Sequence, residues 1–190
     1  LRMKTLLLVA AVFVANTLAG CYSVEQSTVE RGYRWIRRGQ TATALSTFDV
    51  VLKKSPSSVL GHLGRADALF ESKNDREAVA EYDRTLALYL AASGASPGPP
   101  GEKTVVGHRV LSYQNRGLAF PFGIEAYNYL RRAGAFHALA LSAGAVDEDS
   151  FQKALADYDQ VLKLAPTDAA AKEQRDQLLK KIQPVTAPAR

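Results

Sequence analysis

The stretch ALSTFDVVLKKSP, Ala44 to Pro56, has two near copies further along the chain, AVAEYDRTLALYL from Ala78 and ALADYDQVLKLAP from Ala154. Each copy reads small residue, aromatic, aspartate, leucine: Ala44, Phe48, Asp49, Leu52; Ala78, Tyr82, Asp83, Leu86; Ala154, Tyr158, Asp159, Leu162. An apolar series at steps of four lies along one side of an α-helix. Each copy is therefore an amphipathic helix offering a small residue where a neighbouring helix comes close. The first two copies are 34 residues apart, Gly32 and Ala66 repeat the same interval upstream, and Pro56 and Pro166 close the first and last copies.

Breakers between the periodic segments predict helices at 25–38, 41–54, 57–72, 75–91, 105–119, 124–143, 149–164 and 167–182, with Thr41, Asn74 and Thr167 as N-caps. The segment SGASPGPPGE, Ser93 to Glu102, is too rich in glycine and proline to be helical and reads as a surface loop spanning about 93–104. The tail QPVTAPAR, 183–190, reads as disordered.

Paired helices at a 34-residue period, with an early glycine or alanine, a later alanine and aromatic, and a closing proline, resemble the tetratricopeptide repeat (TPR). The resemblance implies an all-α fold: a TPR-like stack of antiparallel helix pairs, an α-solenoid, with about three repeats and a C-terminal capping helix over residues 28–182. The residues expected at the packed crossings are Gly32, Ala44, Phe48, Ala78, Tyr82, Gly117, Ala154 and Tyr158. Departures from the pattern are Thr28 and His62 at the fourth position, where the family prefers a large apolar residue, and Leu90 in place of a closing proline. In the third unit Gly117 heads a candidate first helix, but Tyr129 stands where the partner alanine should be twelve residues later. Either Ala126 begins a shortened second helix, or 121–145 is an inserted helix before Ala154. Insertion is the favoured expectation, because the third copy needs a first helix.

The first residues have a different character. Arg2 and Lys4 precede the ten apolar residues LLLVAAVFVA, Leu6 to Ala15, and then Asn16 and Thr17. That positive, apolar, small-residue order is the layout of a secretory signal peptide, and ten apolar residues are too few to cross a hydrocarbon core of ~30 Å as a helix. Leu18, Ala19, Gly20 and Cys21 resemble the lipobox of bacterial lipoproteins, and Cys21 is the one cysteine in the sequence. The resemblance implies a signal peptide over 1–20, removed before Cys21, acylation of Cys21, and a lipidated tether over 21–27. Tyr22, where some such proteins carry an inner-membrane aspartate, implies the periplasmic face of an outer membrane. The expected partners are therefore a membrane, reached through acylated Cys21, and one or more envelope proteins or peptides.

Removing 1–20 takes Arg2 and Lys4 with it, so formal charge falls from +5 to +3. The basic residues are scattered and not interleaved with stacking aromatics, so no nucleic acid partner is expected. The local exception is ERGYRWIRR, where Arg31, Arg34 and Arg38 fall on one helical face. It reads either as a solvated face or as a contact for acidic lipid head groups or an acidic partner.

Nothing in the sequence points to catalysis. GASPGPPGEKT fails as a phosphate-binding loop, since Glu102 separates Gly101 from Lys103 and prolines remove backbone donors. His62, His108 and His137 have no metal-type spacing, there is no serine nucleophile elbow, and no cofactor is expected. Binding is the positive reading. The family's inward positions, carried over residue by residue, give a candidate peptide groove of Val29, Tyr33, Ile36, Leu63, Asp67, Phe70, Gln114 and Leu118, on the concave side that first helices line. Tyr33 and Phe70 serve there as aromatic anchors or pack between repeats. Val29 and Tyr33 lack the lysine and asparagine with which some relatives clamp a peptide's terminal carboxylate. The resulting expectation is a lipid-anchored interaction scaffold that is not an enzyme, in envelope, secretion or pilus assembly. The alternatives are a periplasmic enzyme or a structural spacer with degenerate repeats.

Overall fold

The computed structural model describes residues 24–93, 123–142 and 146–182. The described residues form seven helices and no strand: α1 (24–37), α2 (Thr41–Lys54), α3 (Val59–Glu71), α4 (Asp75–Ser93), α5 (Gly123–Leu141), α6 (Glu148–Leu164) and α7 (Ala169–Ile182). Cys21, the 93–104 loop beyond Ser93, the expected helix 105–119 with Gln114, Gly117 and Leu118, and the tail lie outside them. Residues 24–27, expected in the tether, are already helical, and the Ser27 and Thr28 hydroxyls donate to the Val24 carbonyl.

The small and aromatic positions of the repeated stretch form the centre of the stack. Ala44, Phe48, Ala78, Tyr82, Ala154 and Tyr158 are all at 0 % exposure. Phe48 shows why the small residues are needed. Its ring lies against Gly32 of α1 and Gly64 of α3, and a methyl group at either glycine would overlap it. The Tyr33 ring meets it edge-on at 5.5 Å. Burial of that one ring is worth about 1.5–3 kcal/mol.

Turn chemistry repeats with the helices. Ser55 to Ser58 and Ala165 to Asp168 make the same proline-containing turn, each closed by a backbone bond of 3.0 Å. Ser58 then caps α3 through Gly61 N–H at 2.9 Å, and the Asp168 carboxylate accepts from Ala170 and Ala171 at 3.0 and 3.1 Å. Asp168, not Thr167, is thus the cap of α7, because its side chain sits one residue before the helix where two free N–H groups converge. Gly39, between α1 and α2, and Lys73, 34 residues later between α3 and α4, both take a left-handed backbone, with φ of 71° and 65°.

The aspartate of each copy proves to be the link between successive pairs. Asp49 accepts from Arg65 at 3.0 Å, Asp83 from Arg132 at 2.6 Å, and Asp159 from Arg175 at 2.7 Å. Arg65 also reaches Glu81 at 2.6 Å, and Arg132 forks onto Asp157 with two bonds of 2.7 Å. Each of these two arginines, on a first helix, therefore ties the preceding second helix to its own second helix. Arg175 ties α7 to α6 in the same way, so α7 takes the place of a fourth first helix.

This register corrects the expectation of an inserted helix at 121–145. Arg132 stands where Arg65 stands, so α5 is the first helix of the third pair, and it packs against α4 and α6. Most of the extra length falls between α4 and α5. Ala133 replaces Gly117 as the counterpart of Gly32 and Ala66, and it is fully buried. α5 also joins the two cores, with Ile124 and Ala135 in the first and Ala133 and Ala140 in the second.

Candidate interaction face

The three first helices meet at Asp67, which is 1 % exposed. Its Oδ1 accepts from Tyr82 Oη at 2.6 Å and Arg131 Nε at 3.0 Å. Its Oδ2 accepts from Tyr33 Oη and Tyr127 Oη, each at 3.0 Å. One carboxylate thus gathers α1, α3, α4 and α5. Burial, and then the neighbouring Asp67 charge, push the Tyr33, Tyr82 and Tyr127 phenols well above their ordinary range. Burial works against the Arg131 charge, but Asp67 and the phenol oxygens outweigh it and hold the guanidinium protonated. A buried charge is tolerable only when its bonds are filled in this way.

That geometry corrects the expected groove. Val29 and Leu63 are at 0 % and Tyr33 at 8 % exposure, so these side chains are core and not surface. Asp67, expected in the groove, has both oxygens occupied by the protein's own donors. Ile36 and Phe70 reach the surface in part. By the arginine register, the third pair places Leu130, Gly134 and His137 at the positions assigned to the groove, while Gln114 and Leu118 lie outside the described residues.

The surface that remains is a row of Ile36, Phe70 and His137, one from each first helix, all partly exposed. The Phe70 ring is its centre. The Arg131 guanidinium lies 4.6 Å from its centroid and the Lys73 ammonium 5.9 Å away. Gly134 keeps one side of the ring clear, since an added Cβ there would come within 3.2 Å of it. Arg131 also donates to Glu71 at 2.7 Å, which fixes the guanidinium over the ring. His137 lies edge-on to Tyr158, with Nδ1 3.3 Å from its hydroxyl. Burial, and then the Lys181 charge, hold its imidazole below the ordinary value of 6.5.

Solved structures resemble this arrangement. The first TPR domain of human RPAP3 aligns at a TM-score of 0.56 and 18 % identity, covering 84 % of this chain and 93 % of that one. The chain has a TPR-like fold. The first TPR of Spaghetti (RPAP3), bound to the HSP90 peptide SRMEEVD, gives the same figures. The Arabidopsis OM64 TPR domain aligns at 0.56 with 17 % identity over 83 % of this chain and 96 % of that one. No protein-family model and no curated protein matches the sequence.

The arginine links, the Asp67 junction and the correct third first helix were absent from the reading of the sequence. Two signals were present. Arginine follows the repeat aspartate by sixteen residues in two of the three copies, at Arg65 and Arg175, and Arg131 and Arg132 are adjacent within the segment 121–145.

Proposed function

We propose that this chain is a lipid-anchored envelope protein that acts as a protein–protein interaction scaffold, held to the periplasmic face of an outer membrane by acylated Cys21. The observation that carries the scaffold reading is the row of first helices in a TPR-like stack, with Phe70 presented between two cations. The RPAP3 domain resembling it was solved with a peptide bound, which supports reading this face as a peptide site. The ligand differs in kind from that acidic-tailed peptide, because Val29 and Tyr33 are buried and leave no carboxylate clamp at those positions. An apolar side chain seated on Phe70, with an acidic neighbour facing Lys73, fits this face. The role belongs to assembly of envelope, secretion or pilus machinery, and not to an enzyme's turnover.

Fractionation tests the anchor. Wild-type protein should sediment with membranes, whereas the processed Cys21→Ala protein should appear in the soluble fraction. Continued membrane attachment of that variant would remove the lipid from the account. Crosslinking in intact envelopes with mass spectrometry should return one or two reproducible partners, whereas a spacer would return none.

A further inference from the structure

α1 stands at the open end of the stack, and its outward stripe is unlike that of the inner first helices. Val24, Ser27, Arg31, Arg34 and Arg38 follow one another at steps of three and four, a single helical stripe. Val24 is 53 % exposed, and Ser27 and the three arginines are exposed too, as is the flanking Arg37. None of the four arginines has an ion-pair partner among the described residues. Glu30, four residues before Arg34, accepts instead from Gln26 at 3.5 Å. The Arg38 guanidinium lies 5.3 Å from the centroid of Trp35, the single tryptophan of the sequence.

The repeat register explains why Arg31 is free. It is the counterpart of Arg65 and Arg132, but no pair precedes it among the described residues, and Thr47 occupies the place that Glu81 and Asp157 hold in the later pairs. The same register decides what can cover the stripe. In α3, which does dock on a preceding helix, the equivalent positions are small. Ala68 is fully buried, and a Cβ on Gly61 would come within 2.9 Å of Leu52 and 3.1 Å of Val51 on α2. In α1 these positions are Arg34 and Ser27. A long cationic side chain where a helix backbone must approach closely disfavours another helix pair as the occupant. A broad negative surface suits it.

We infer that the α1 stripe of Val24, Arg31, Arg34 and Arg38, with Arg37 beside it, lies against a membrane surface rich in anionic phospholipid and orients the stack on the bilayer. The proposal rests on the attachment read for Cys21, three residues before Val24, which holds this end of α1 at the bilayer. Exposed arginines close to an anionic surface gain from its potential, and the exposed Val24 and the tryptophan edge suit the interface. The stack's first-helix row is then held in a fixed orientation near the membrane.

Trp35 supplies the test. The full chain is reconstituted with vesicles of phosphatidylcholine alone, or of phosphatidylcholine and phosphatidylglycerol in equal parts, each carrying brominated acyl chains that quench tryptophan at short range. Flotation records attachment, and Trp35 quenching records whether α1 lies on the surface. The expected result is quenching in the anionic vesicles and little in the neutral ones. It should be lost at ~1 M salt, where the Debye length is about 3 Å, and in the combined variant Arg31→Gln, Arg34→Gln, Arg38→Gln with unchanged helicity. Equal quenching in both vesicles, or none in the anionic ones, overturns the proposal whether or not the protein floats. A Trp35 response to soluble polyglutamate without one to anionic vesicles overturns it in favour of an acidic protein partner. Failure to float with Cys21 intact counts against the anchor alone, since quenching by anionic vesicles is read independently.

Discussion

Asp67 survives burial because three phenols and a guanidinium occupy its oxygens, and each of those donors depends on it in turn. Asp67→Ala would leave Arg131 with Glu71 alone and take this acceptor from the buried Tyr33 and Tyr82 hydroxyls, at an expected cost of about 3–5 kcal/mol by chemical denaturation. The same junction sets an alkaline limit. The native state holds Tyr33, Tyr82 and Tyr127 protonated beyond the pH at which the unfolded chain loses these protons, ordinarily 10.0. Above that pH the unfolded chain binds fewer protons than the native one. Stability from these groups is therefore complete below pH 10 and lost as pH rises through and beyond it. Melting temperature should begin to drop near pH 10 and fall increasingly above it, and less steeply in a Tyr33→Phe, Tyr127→Phe variant. An equal slope in both proteins would remove the junction as the cause.

Among the elements, the arginine links divide by burial. Asp157 is 5 % exposed and holds Arg132 through two bonds, so Arg132→Ala should cost about 3–5 kcal/mol by leaving a carboxylate buried and unpaired. The Arg175–Asp159 pair is partly exposed, with neither member buried, so Arg175→Ala should cost about 1 kcal/mol or less. Equal costs would contradict the assignment of α7 as an end element. Lys73 holds a left-handed backbone where the first pair has Gly39. Lys73→Gly should stabilise the protein by up to about 1 kcal/mol, read as a raised denaturation midpoint. The helix pattern was legible in the sequence because small and aromatic residues must recur wherever helices cross, as Ala44, Ala78 and Ala154 do. The third first helix was hidden by spacing. Gly32 to Ala44 and Ala66 to Ala78 are each twelve residues, but Ala133 to Ala154 is twenty-one, since α5 runs further and its turn to α6 is longer. The groove was misjudged for a different reason. Burial of Val29 and Tyr33 depends on how neighbouring first helices close on each other, and no periodicity within one helix records that.

At the scale of the whole molecule, the three first helices leave one row of partly exposed side chains, while the arginine stripe faces outward at the end nearest Cys21. The central claim is that the first-helix row is where a partner binds. A photo-crosslinking amino acid placed at Phe70 in the full chain tests it, with the same probe at Val50, 48 % exposed on second helix α2, as the control. The account expects a discrete adduct from position 70, reproduced in intact envelopes and with the purified partner, and none of that mass from position 50. Adducts of the same kind from both positions, or none from position 70 in a protein that remains folded, would contradict it.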